Sequence, residues 1–148
     1  MLALKQAPFP GESERSTAPI NGAAGAPTSA SAPVASSDET AQGGALFTAT
    51  CAACHQATGE GLPGAFPALK GNSTINDADP TRHIQVVLNG LQGANVGGIV
   101  YPSPMPAFGT TLSDAEVASI INYERSSWGN QGTPVTREQV ATERAKGN

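Results

Sequence analysis

The sequence predicts a small all-α domain of about three core helices joined by long loops. Two segments place apolar residues at helical spacing between recognisable caps. The 17 Gly and 12 Pro among 148 residues demand long turns and loops between such helices. No segment shows a convincing strand pattern, and there is no internal repeat. The length leaves room for one ordinary domain.

In chain order, residues 1–40 come first, and 26 of them are Ala, Ser, Pro, Gly or Thr. Such a stretch buries too little apolar surface to offset the entropy of ordering it. Residues 1–37 are therefore expected to form a flexible tether or partner-binding arm, 38–130 the folded domain, and 131–148 a polar C-terminal extension. Met1-Leu2-Ala3-Leu4-Lys5 does not read as a secretory signal, because no apolar stretch succeeds it and Pro8 and Pro10 break the chain there.

The first helix is expected over residues 40–50, where no proline intervenes and Leu46, Phe47 and Ala49 can share a face. Gly43 and Gly44 sit in its first turn against helix propensity, so another element should pack closely there. The second helix has Asp79 as N-cap and Pro80 in the first helical position. Ile84, Val87, Leu88 and Leu91 give it one apolar stripe, and Gly90 is a stop signal. The third opens on Ser113-Asp114-Ala115-Glu116, a capping box, and continues through Val117, Ile120, Ile121 and Tyr123 to a stop at Gly129. Loops are expected over 59–72 and 93–110. A short helix over 136–146 would be peripheral.

Composition excludes some functions. The net charge of −4 argues against nucleic acid as a partner. No apolar run approaches the ~20 residues that cross a bilayer.

Both cysteines fall in Cys51-Ala52-Ala53-Cys54-His55. This string reads as a c-type haem attachment site. Two thiols three positions apart can reach vinyl groups on adjacent pyrroles, and the next residue offers an imidazole to the iron. A thioredoxin-like pair would need a βαβ setting, and a structural zinc site would need four ligands. A simple disulfide would leave His55 unexplained. Attachment requires an oxidising compartment, so a leader or anchor removed from the chain, or a longer parent protein, is expected. That points to the periplasm or the outer face of the cytoplasmic membrane.

The sixth position on the iron has few candidates. Met105 lies in Pro104-Met105-Pro106, where flanking prolines stiffen the loop and can hold a thioether toward a metal. His83, beside the apolar stripe of the second helix, reads as a surface or rim histidine and is the weaker choice. An open site is the third possibility.

From these residues the chain resembles the class I (mitochondrial-type) bacterial cytochromes c over about residues 38–130. The resemblance runs through Gly43-x-x-x-Phe47, Cys51-x-x-Cys54-His55, Phe66-Pro67-Ala68-Leu69-Lys70-Gly71, Met105 and Tyr123. It implies a small cytochrome c fold wrapped around one haem c bound through Cys51 and Cys54, with His55 and Met105 on the iron. It further implies that Gly43 and Phe47 meet the last helix near Tyr123, that the Pro67 carbonyl accepts from the His55 ring, and that Leu69 packs on the haem. The string Asn122-Tyr123-Glu124-Arg125-Ser126-Ser127-Trp128-Gly129-Asn130 is similar to one in cytochrome subunits of periplasmic dehydrogenases and in cytochrome domains fused to copper nitrite reductases.

The implied function is single-electron transfer between redox proteins, not catalysis, because His and Met together saturate the iron. The alternative is a haem subunit or domain held permanently to a dehydrogenase or reductase. A haem peroxidase or gas sensor is a further rival that needs an open sixth position. Residues 38–130 carry eight acids against three bases. A lysine-ringed haem edge is therefore excluded. Docking is expected through Ala52, Ala53, Gly61, Leu62, Pro63 and the Pro104–Pro106 loop, with weak salt dependence.

Overall fold

In the computed structural model, residues 36–147 are described; all of the expected tether except Ser36 and Ser37 lies outside them. Six helices and one two-stranded sheet form in the order α1 (Ser37–Thr50), α2 (Ala52–His55), α3 (Ser73–Asn76), α4 (Thr81–Asn89), β1 (Ala94–Val96), β2 (Ile99–Tyr101), α5 (Asp114–Ser126) and α6 (Arg137–Lys146).

α1 begins earlier than its apolar residues suggest, because Ser36 and Glu39 close a capping box around its first turn. Its glycines are explained by α5. A Cβ on Gly43 would stand 2.0 Å from the Ser119 carbonyl oxygen, and one on Gly44 would meet the Tyr123 ring at 3.0 Å. The two backbones can approach only because Gly43 has no side chain. Phe47, Tyr123 and Trp128 then stack with ring centroids 5.1–5.5 Å apart. Tilted and edge-on pairs at such distances contribute beyond their buried area.

α4 starts at Thr81, one residue later than expected, so Pro80 rather than Asp79 is its N-cap, and Asp79 accepts from the Thr81 N–H at 2.9 Å. Its stripe is one residue shorter than expected. Ile84, Val87 and Leu88 are buried in the core, while Leu91 lies past the helix end and pairs with Met105. α5 keeps the predicted capping box, Ser113 with Glu116.

Two expectations fail. Residues 94–101, expected to be loop, form an antiparallel hairpin turned by Gly97 and Gly98, both at positive φ. Three-residue strands are too short to show alternation in the sequence. The C-terminal extension is not peripheral. α6 packs against α4 and α5, and Val135 and Val140 are buried in the same core as Ile84, Val117 and Ile121. Its apolar contribution is sparse, so its polar composition concealed its burial.

The end of α5 ties the fold together. Asn122 exchanges two hydrogen bonds with the Val135 backbone, at 2.9 and 2.7 Å. Arg125, buried, donates to the carbonyls of Thr133 and Asp77. Asn130 donates to the Leu69 and Glu124 carbonyls and accepts from Gly71 N–H and the Asn76 amide. Trp128, at φ 55°, donates its indole N–H to the Ala57 carbonyl at 3.1 Å. The Asn122–Asn130 string thus works as a fastening that joins α5 to the loops before α3 and after α2.

Candidate functional site

One large cavity opens between α2, the 59–72 loop, α4, the hairpin and the 103–108 segment. Its empty volume is about 1190 Å³ with the open mouth included. Cys51, Cys54, His55, Pro67, Leu69 and Met105 all line it. Every residue singled out from the sequence for haem binding therefore faces one space.

The Cys51–His55 wall is organised locally. Cys51 is the last cap of α1 and the first of α2, so the two thiols and the imidazole sit on consecutive helical turns. Gln56 ends that turn at positive φ, and the chain folds back so that Gly61 N–H donates to the His55 carbonyl at 2.9 Å. Gly59 accepts from both Leu69 and Lys70 N–H groups, which brings Pro67 over the ring. The His55 Nδ1 lies 2.9 Å from the Pro67 carbonyl. As donor to that oxygen, Nδ1 carries the proton and Nε2 is left for a metal. Leu69 is buried and lines the cavity.

Cys51 and Cys54 are free and half-buried. Burial pushes the Cys51 thiol up to about 12, and Glu124 and Cys54 add to that. A thiolate there would be desolvated beside a carboxylate. A thioether carries no charge and removes the conflict.

The Met105 wall is organised at long range. Met105 and Leu91 exchange two backbone hydrogen bonds at 2.8 and 3.0 Å. Phe108 N–H donates to Val87 and Gly109 N–H to Leu88, so the loop lies along the end of α4. Gly90 is required twice over: its φ is 74°, and a Cβ there would stand 2.5 Å from the Met105 carbonyl oxygen. From α6, Arg144 bonds the Gly109 carbonyl, the Leu112 carbonyl at 2.9 Å and the Asp114 carboxylate at 2.7 Å.

The donor set decides which group fits. Two thiols at Cys-x-x-Cys spacing, an imidazole with Nδ1 committed, a thioether and an otherwise largely apolar lining match a covalently attached iron porphyrin. Among the described residues no group of three or more His, Cys, Asp or Glu side chains could hold a bare metal ion.

The sequence profile of the cytochrome c family matches residues 40–128. The chain belongs to the cytochrome c family. It is 40% identical over 112 residues to cytochrome c-552 of Thermus thermophilus, covering 70% of this chain and 85% of that protein. It is 36% identical over 107 residues to the gluconate 2-dehydrogenase cytochrome c subunit of Pantoea cypripedii, and 35% identical over 115 residues to the fructose dehydrogenase cytochrome subunit of Gluconobacter japonicus. The cytochrome spans about a quarter of the length of those two subunits. Among solved structures it aligns with the c-type cytochrome XoxG from Methylobacterium extorquens AM1, with a TM-score of 0.47 at 21% identity over 73% of this chain and 66% of that one. The cytochrome thus carries haem c and functions in electron transfer. No described helix is long and apolar enough to cross a membrane.

The sequence reading misplaced His83 and missed Glu124 and Arg144. His83 is not a surface or rim residue: it is buried and paired to Glu124, Nε2 to Oε2 at 2.7 Å. Both line the haem cavity. Their separation of 41 positions leaves no local signal. Arg144 lay in a segment expected to be peripheral. Of the expected docking residues, Gly61 is buried and Ala52 half-buried, whereas Ala53, Leu62, Pro63, Pro104 and Pro106 are exposed.

Proposed function

We propose that the cytochrome carries single electrons between redox proteins through a haem ligated by His55 and Met105, with Cys51 and Cys54 as its thioether anchors. The observation that carries this reading is that Met105 lines the same cavity as the Cys-x-x-Cys-His segment while its loop is fixed by backbone hydrogen bonds. When bound, the haem supplies a one-electron Fe(III)/Fe(II) couple. The chain's residues do the rest. Pro67 orients the imidazole by accepting a hydrogen bond from its Nδ1–H, Leu69 would cover the bound porphyrin from water, and the α4 and α6 contacts keep Met105 in place, so ligation would change little between oxidation states. With His55 and Met105 both holding the iron, no ligand position would be left for a small-molecule substrate.

Electrons would enter and leave near the exposed, uncharged residues Ala53, Leu62, Pro63, Pro104 and Pro106. Residues 1–37 would tether this domain, and the compartment would be the periplasm or the outer face of the cytoplasmic membrane. A second reading is favoured by the named relatives that are dehydrogenase cytochrome subunits: the chain would serve as a haem subunit bound to such an enzyme.

The native ferric protein should show the sulfur-to-iron charge-transfer band, and Met105→Ala should abolish it and let the reduced protein bind carbon monoxide. A native protein that lacks the band and binds carbon monoxide readily would overturn His/Met ligation. Removing residues 1–35 and measuring co-purification with an oxidoreductase separates the subunit from the free carrier.

A further inference from the structure

His83 and Glu124 form a buried titratable pair on the wall of the haem cavity that neither haem attachment nor iron ligation requires. Each is only 4% exposed. Withdrawing an ion pair from water is costly, and an apolar pair of similar volume is often no worse. The neighbouring positions Ile84, Val87, Ile120 and Ile121 are filled in just that way. Nε2 of His83 is committed to the Glu124 carboxylate, so the second ring nitrogen decides the pair's charge. That Nδ1 is buried and has no hydrogen-bond partner among the described residues. With Nδ1 bare the pair carries one negative charge; with Nδ1 protonated it is neutral overall.

We propose that Nδ1 of His83 is a proton-binding site coupled to haem reduction. One electron arriving from the donor protein lowers the charge of the iron site by one. One proton from solvent then binds Nδ1, giving an imidazolium beside the Glu124 carboxylate. Oxidation releases both. The coupling is electrostatic: the buried pair lines the same cavity as the haem-attachment residues. Other charged groups on the packed elements are already engaged or sit farther out. Arg82, on α4, is exposed at the cavity lining. Arg125, on α5, is bonded to the Asp77 and Thr133 carbonyls. Glu143, on α6, is bonded to Gln85 and Lys146, and Asp77 and Asp79 cap the turns before α4. The proposal rests on the haem-carrying role and not on Met105 as ligand.

The test is the midpoint potential of the purified haem protein between about pH 5 and pH 9. In the wild type it should fall as pH rises through one titration. His83→Gln, which keeps a hydrogen bond to Glu124, should flatten the profile with its absorption spectrum unchanged. Glu124→Gln should move the titration to lower pH, because the imidazolium loses its counter-charge. A flat wild-type profile overturns the proposal. So does an undiminished slope in His83→Gln, which assigns the proton to the haem carboxylates. Loss of the charge-transfer band over the same pH range also overturns it, by assigning the effect to ligand exchange. If His83→Gln fails to hold haem, an unmoved titration in Glu124→Gln is decisive against it.

Discussion

The His55 ring is aimed into the haem cavity by bonds within its own segment, whereas the Met105 loop is held there by other segments. The bonds that aim the His55 ring run within its own segment: His55 to Gly61 and Pro67, Gly59 to Leu69 and Lys70, Leu62 to Phe66, while Trp128 and Asn130 tie the rim of that segment, at Ala57, Leu69 and Gly71, to the end of α5. The Met105 loop instead takes its bonds from Leu91, Val87 and Leu88 in and beyond α4, and from Arg144 near the chain's far end. Closing contacts over a short loop costs little chain entropy. The bonds that aim the His55 ring therefore depend less on tertiary packing than those that place Met105. The Met105 side is the side that will give way first.

The largest effect breaks the local wall at its covalent point. Replacing Cys51 and Cys54 together by Ala should abolish covalent attachment, so that acidified organic solvent extracts the haem completely; retained pigment would contradict the thioether assignment. The next tests the long-range wall. Arg144→Ala removes charge-assisted bonds to two carbonyls and a carboxylate, and should cost about 2–3 kcal/mol in denaturant unfolding. The same variant should lose the Met–iron charge-transfer band at lower pH than the wild type while His55 stays bound. If both ligands fail together on titration, the two walls are not independent.

A smaller effect should appear where neither wall is touched. Gly43→Ala puts a methyl group into the Ser119 carbonyl and should cost about 1–3 kcal/mol by overpacking, with the haem spectrum unchanged. The smallest concerns the helix caps. Hydrogen bonds from Ser36 and Ser113 hold the Glu39 and Glu116 carboxyls below their ordinary value of 4.5. Their folded values are depressed, so this stability is present above 4.5 and is lost as pH falls through the lower folded values. Thermal melts of Glu116→Gln should show a shallower fall between neutral and acid pH than the wild type.

The sequence by itself determined the haem attachment, the second and third predicted helices, and the close approach at Gly43. In each case the signal is local: a five-residue motif, a cap with a 3.6-residue stripe, a glycine where propensity opposes one. The match of Pro67 to His55 came only through the family resemblance of the Phe66–Gly71 string, and the structure has the two within hydrogen-bond distance. Only the tertiary structure decided that α6 belongs to the core, that Arg144 secures the loop of Met105, and that His83 meets Glu124 inside the haem cavity. Those facts depend on which distant segments come to share a water-poor space. A buried charge is identified by the partner that compensates it, and no pattern along one stretch of chain records where that partner will be.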